Sequence, residues 1–217
     1  MSGPFDERFT ERHIVSGTLL EFGCSPGAFT SRLARARPDV RVTGIDLYQA
    51  SCTEGYRFIH SDLMECQLDD VFDNVCCVSS WEHCGIETAN FADGYAPHLD
   101  YHLTVAERLM DLVAPGGRLI VTCPFGPDEV WLTYSGRPDA LFGAVPRSEA
   151  APRWGYRAST VVSLEAAFHR LQAEECEAMQ HVGGDYFDIA NWCSIDPHVL
   201  PKETRRAVVG MVLRRAQ

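Results

Sequence analysis

The sequence predicts an α/β fold, a doubly wound and mostly parallel sheet. Three observations predict it. Residues 19–27 read Leu-Leu-Glu-Phe-Gly-Cys-Ser-Pro-Gly, an apolar run that carries one acid, Glu21, and ends in a glycine turn. A helix is expected to start near Ala28. A second apolar run, Val40 to Ile45, then ends in Asp46. The glycine turn lets backbone come close to a ligand, and the acid after the second strand can accept hydrogen bonds from two ribose hydroxyls.

The remaining elements follow in chain order. Phe5, Phe9 and His13 recur at helical spacing, so residues 5–14 are expected to form a helix. It either closes the ligand site or packs on the sheet edge. In the turn, only Gly23 and Gly27 are glycines, whereas a dinucleotide needs three so that backbone amides can meet a pyrophosphate. Glu21 would also repel a pyrophosphate and favour a cationic ligand. Tyr56 to His60 reads as a third strand, followed by Ser61-Asp62-Leu63, and Phe72 to Ser79 as a fourth, apolar enough to be central. Asp100 is expected to cap a helix that places Leu103, Ala106, Leu109, Met110 and Val113 on one face, with Ala114-Pro-Gly-Gly117 as its stop. Leu119 to Pro124 is a fifth strand. Ser163 to Gln172 has helical periodicity, Cys176 to His181 a sixth strand and Arg206 to Leu213 a seventh.

From Leu19 to Pro124 the order and spacing of these motifs resemble the class I S-adenosylmethionine-dependent methyltransferases, with Ser25 in place of the middle glycine of their first motif. The resemblance implies a Rossmann-like, seven-stranded, mostly parallel sheet of order 3-2-1-4-5-7-6, with helices on both faces and the last strand antiparallel. It implies S-adenosylmethionine as cofactor and S-adenosylhomocysteine as product. Glu21, Gly23, Ser25, Gly27, Asp46, Leu47, Asp62, Leu63 and Ser79 are then the cofactor-binding positions. Asp62 would take a hydrogen bond from the adenine amino group, and Leu63 would pack on the ring. The Ser-Ser-Trp-Glu-His-Cys-Gly element at 79–85, followed by a distant Pro-Gly-Gly, is similar to bacterial methyltransferases acting on sugars and natural products.

Composition narrows the partners. The chain has 217 residues, long enough for one well-buried domain spanning 1–217. No signal-peptide core or membrane-length apolar run is present, so a cytoplasmic location is expected. The nine cysteines include no C-x-x-C pair and several fall in predicted strands, where they read as small buried hydrophobes. One lysine stands against eighteen arginines, a bias attributable to GC-rich codons and so to a bacterial source. The net charge of −11 argues against gripping phosphates, so no nucleic-acid partner is expected. A homodimer is left open.

Ligands bind beyond the carboxyl ends of the parallel strands, so the long segments leaving those ends, 81–99, 125–159 and 183–204, are expected to cap an acceptor. They hold Trp81, Trp131, Tyr134, Trp154, Tyr186 and Trp192, read as pocket lining or as pins that hold the loops down. A hydroxyl acceptor must lose its proton as the methyl arrives. His83, beside Glu82, is the expected base, although such a pair can also bind metal, cap a helix or orient a loop. Among the possible further metal donors His98, Asp100 and His102, Asp100 reads better as a helix cap. No metal is expected. The expected activity is therefore methyl transfer to a small organic acceptor, at a sugar or natural-product hydroxyl. An RNA methyltransferase and a non-catalytic cofactor-binding partner protein are the alternatives.

Overall fold

Alternation of buried side chains builds the molecule. The computed structural model describes residues 4–85, 100–125, 130–133, 143–145, 155–182, 185–188 and 207–217, with side chains described at 5–85, 100–125, 159–178 and 208–217. Strands β1 (Gly17–Phe22), β2 (Val40–Asp46), β3 (Arg57–His60), β4 (Phe72–Val78) and β5 (Val113–Phe125) are parallel neighbours in the order 3-2-1-4-5. In β1, β4 and β5 apolar residues follow one another directly, as in Leu19-Leu20, Val75 to Val78 and Leu119 to Val121, because both faces are covered. Leu19, Cys76 and Ile120 point to one face, where Phe29 and Leu33 of α2 (Ala28–Ala36) pack. Leu20, Val75 and Leu119 point to the other, under α3 (Tyr101–Leu112) and α4 (Val161–Ala167). Each such large apolar side chain, once buried, contributes on the order of 2 kcal/mol.

Strand β11 (Ala207–Arg214) lies antiparallel between β5 and β9 (Gln172–Val182), so that β9 and β11 are the sixth and seventh strands of the expected order 3-2-1-4-5-7-6. Two additions go beyond it. β10 (Asp185–Asp188) pairs with β9 and becomes an eighth, edge strand. β6 (Val130–Thr133), β7 (Gly143–Val145) and β8 (Gly155–Ala158) form a separate antiparallel sheet inside the 125–159 segment.

Helix α1 (Pro4–His13) lies on the face of β4, β5 and β11, with Phe5 and Phe9 buried. Gly210 makes this possible, because a Cβ there would stand 2.6 Å from the Phe9 ring. The helix thus packs on the face of the sheet and not at its edge, and its first turn brings the charges of Asp6 and Glu7 to bear on Glu82 and Glu21.

Other expectations shift. α3 buries His102, Val105, Ala106, Leu109 and Met110, which turns Leu103 to solvent, and the helix ends at Leu112. Val113 already pairs with Phe72, so β5 starts ahead of the Pro-Gly-Gly turn. Asp100 occupies the cap position but makes no side-chain capping hydrogen bond. α4 is shorter than expected and starts at a capping box in which Thr160 and Ser163 exchange side-chain to backbone bonds of 3.0 Å. The crossovers flanking β3, residues 47–56 and 61–71, contain no helix.

Candidate functional site

Glu21 opens the site, one residue before β1 ends. It is buried and accepts a 2.7 Å hydrogen bond from the Thr30 hydroxyl at the start of α2. Burial pushes its pKa up to about 8, and the Thr30 bond opposes the shift. In the unfolded chain the same acid keeps its ordinary value of 4.5, so its contribution to stability is full below about 4.5 and is lost as pH rises through about 8. Glu21→Gln is expected to flatten the decline of thermal stability across that window, followed by melting at stepped pH. An unchanged slope would assign the decline to other groups.

The turn after β1 is shaped by two glycines in the left-handed region. Gly23, at φ 74, donates to the Ile45 carbonyl at 2.9 Å, and a side chain there would overlap Ser80. Gly27, at φ 90, precedes α2, and a side chain there would run into the Cys52 carbonyl and the Tyr56 hydroxyl. Ser25 contributes its backbone, donating to Asp46 Oδ2 at 2.7 Å, while Tyr48 N–H donates to Oδ1 at 2.8 Å. Burial raises the Asp46 pKa above its ordinary value, opposed by those two amides. A carboxylate has about four acceptor positions, so two amides leave capacity for two hydroxyls. Leu47 and Tyr48, 42% and 46% exposed, stand beside it as apolar surface. The Leu47 carbonyl is held by His60 Nε2 at 2.9 Å.

Strands β1 to β4 run parallel, so Asp62 after β3 and Ser79 after β4 lie at the same end of the sheet as Asp46. Asp62 accepts from Met64 N–H at 2.8 Å and from the Tyr101 hydroxyl, 3.4 Å from both carboxylate oxygens. The Leu63 side chain, 2% exposed, belongs to the core, which corrects its expected place against a ring; Met64 is the exposed side chain here. Ser79 has φ 47, a left-handed value uncommon for a non-glycine residue, and its N–H meets the Thr122 carbonyl at 3.1 Å. Ser80 Oγ then donates to the Phe22 carbonyl at 2.8 Å and ties the β4 end to the glycine turn.

Beyond that corner, residues 81–83 form one 3₁₀ turn. Trp81 is a core residue rather than pocket lining. It is 1% exposed, its indole N–H donates to the His102 carbonyl at 2.9 Å, and its ring packs on Phe168. Glu82 is buried too, with Oε2 unbonded, and burial pushes its pKa up to about 7 against the pull of His83. His83 is partly exposed, with Nε2 3.9 Å from Glu82 Oε1. Glu82 therefore stands beside His83, and its burial keeps it from meeting an acceptor from solvent. Asp6, in the first turn of α1, adds its field to Glu82. His102 is buried against Trp81, away from any surface ligand set. Trp131 and Tyr186 lie on β6 and β10 with undescribed side chains; Tyr134, Trp154, Trp192 and His98 lie outside the described residues.

Sequence reasoning missed Thr30, Tyr101, Ser80 and Asp6. Thr30 alone had a local signal, as a hydroxyl on the first turn of the helix that follows the acid-glycine turn. The others arrive from distant segments.

Residues 20–121 match the family described as a methyltransferase domain. Among solved structures, the chain is similar to the Burkholderia thailandensis 1,6-didemethyltoxoflavin-N1-methyltransferase bound to 1,6-didemethyltoxoflavin and S-adenosylhomocysteine. The TM-score is 0.59 at 16% identity, covering 99% of this chain and 78% of that one. It is also similar to CalS10 with bound S-adenosylmethionine, an amino pentose methyltransferase from Micromonospora echinaspora involved in calicheamicin biosynthesis. Here the TM-score is 0.56 at 16% identity, covering 97% of this chain and 88% of that one. The [4+2]-cyclase SpnF scores 0.59 at 16% identity, over 98% and 80% of the two chains. At such identities the likeness extends to the fold alone.

Proposed function

We propose that this chain is a class I S-adenosylmethionine-dependent methyltransferase that moves the donor's methyl group onto a small organic acceptor, with a sugar or natural-product hydroxyl as the group attacked and His83 as the base. The observation that carries the cofactor assignment is the Ser25–Asp46 bond. It fixes the carboxylate at the mouth of the glycine turn and leaves it acceptor capacity for a ribose diol. The cradle fits the cofactor in another respect: Leu47, Tyr48 and Met64 leave apolar surface for a base to cover. Buried Glu21, once ionised, suits an ammonium-bearing ligand.

Bound S-adenosylmethionine supplies a methyl group already activated on a sulfonium sulfur. The protein's part is then to align the acceptor and to take its proton. His83 stands after the β4 carboxyl end with buried Glu82 beside it, an arrangement that supports a base held in orientation. β8 packs against the 81–83 turn and against β5, which supports reading the 125–159 segment as part of an acceptor cover. Net charge of −11 supports a small acceptor over a nucleic acid. Among the described residues no helix is long and apolar enough to cross a membrane; a cytoplasmic, bacterial, natural-product setting belongs to the same reading.

A second reading places the methyl on nitrogen, favoured by two structural neighbours that are an N1-methyltransferase and an amino pentose methyltransferase. Incubating the protein with methyl-labelled S-adenosylmethionine and parallel panels of hydroxylated and aminated sugars and aromatics separates them. Label in the hydroxyl panel supports the first reading, and label confined to amines supports the second. Cofactor binding without transfer in either panel or in cell extract would point to a non-methylating use of the fold, as the cyclase neighbour exemplifies.

A further inference from the structure

A cleft of about 580 Å³ opens at the end of the sheet opposite the candidate site, between the starts of β1, β2 and β3 and the segment entering β4. Its volume falls in the range of small-molecule pockets. The cause is topological. β3 begins opposite Thr43, so the edge of β2 from Val40 to Val42 has no strand beside it, and neither crossover flanking β3 supplies a helix to cover the gap.

Two cationic side chains face this space. Thr18 pairs in register with Arg41, and Thr43 with Arg57, and residues two apart on a strand share a face, so both arginines stand on one side of the sheet. Both are exposed and both line the cleft. Among the arginines with described side chains, they alone make no hydrogen bond or ion pair. Arg12, Arg32, Arg35, Arg37, Arg118, Arg170 and Arg214 close ion pairs, Arg108 and Arg215 donate to carbonyls, and Arg8 is also engaged. Arg41 reaches Asp73 only through its field, and Asp73 is already bonded to Thr18. In a chain of net charge −11, two unpaired guanidiniums in one cavity are an uncommon concentration of unused positive charge. Val71, 48% exposed, and Leu68 supply apolar wall, and Asp70 stands on the lining as a single acid.

We propose that this cleft binds a small organic anion, a carboxylate or phosphate ester on an apolar body, whose charged end is held by Arg41 and Arg57 and whose body lies against Leu68 and Val71. Guanidinium matches the planar oxygens of either group with paired hydrogen bonds. Asp70 disfavours a ligand with further negative charge at its far end. The site is independent of the methyl-transfer reading, since it lies at the amino ends of strands whose carboxyl ends carry the cofactor cradle.

Calorimetric titration of the full chain with benzoate, phenyl phosphate and neutral benzyl alcohol tests the assignment. Saturable binding of one anion, with none of the alcohol, is expected, and the anion that binds tells carboxylate from phosphate recognition. Arg41→Ala and Arg57→Ala are each expected to weaken it about tenfold. Arg214→Ala, whose partner is Glu174 near the other end of the sheet order, should leave it unchanged. S-adenosylmethionine affinity should be the same in all three variants, which shows that they fold and keeps this result separate from the cofactor assignment. Failure of both anions to saturate, equal binding of the alcohol, or undiminished binding in both cleft variants would overturn the proposal.

Discussion

Gly27→Val is expected to abolish measurable S-adenosylmethionine binding. The residue sits at φ 90, where a β-branched side chain is strained by roughly 1–2 kcal/mol, and its Cβ would enter the Cys52 carbonyl with the Tyr56 hydroxyl 2.6 Å away. Cys52 N–H and Ser51 N–H both bond the Pro26 carbonyl, so the loop behind the turn cannot retreat without losing them. The turn must move instead. It then takes Ser25 N–H away from Asp46 and the backbone out of the cofactor's path. Affinity should fall by about 100-fold or more, and stability by about 2–4 kcal/mol from overpacking and strain. Titration calorimetry and thermal melting measure the two separately, and affinity within a few-fold of the parent would show that the turn is not the cradle.

His83→Ala is expected to lower the single-turnover rate of methyl transfer by about 10²–10⁴-fold, the usual contribution of a positioned general base. Cofactor affinity should stay near the parent value, because the substitution keeps the backbone bond from His83 N–H to the Ser80 carbonyl at 3.1 Å that joins this turn to the Ser79–Ser80 corner. Glu82→Gln should give a smaller loss, since it keeps the shape beside His83 but removes the ionisable carboxyl 3.9 Å away. A near-parental rate for His83→Ala on a confirmed acceptor would remove it from the mechanism.

The parts legible in the sequence are those where one local pattern has one physical solution. A glycine turn between two apolar runs, with an acid after the second, can hardly be built except as a parallel strand-helix-strand unit. That is why Glu21, Gly23, Gly27 and Asp46 converge as expected. Burial was harder to read. Trp81 follows a strand end and looks like loop, but one 3₁₀ turn tucks it beneath α3, where the His102 carbonyl satisfies its N–H. Leu63 and Met64 are adjacent apolar residues, and only the turn closed by Asp62 decides which faces the core. Leu103 fits the helical period as well as His102 does, and it is the Trp81 contact that turns His102 inward. The β6–β8 sheet and β10 escape a sequence reading because short strands in a long insertion take their pairing from partners far along the chain.

The central claim is that Glu21, the glycine turn and Asp46 form the seat of a methyl donor. Titrating the purified protein with S-adenosylmethionine and with S-adenosylhomocysteine tests it most directly. Saturable binding of both at one site per chain, lost in Gly27→Val, is the predicted result. Absence of heat and of thermal stabilisation with either compound, in protein shown to be folded, would contradict it.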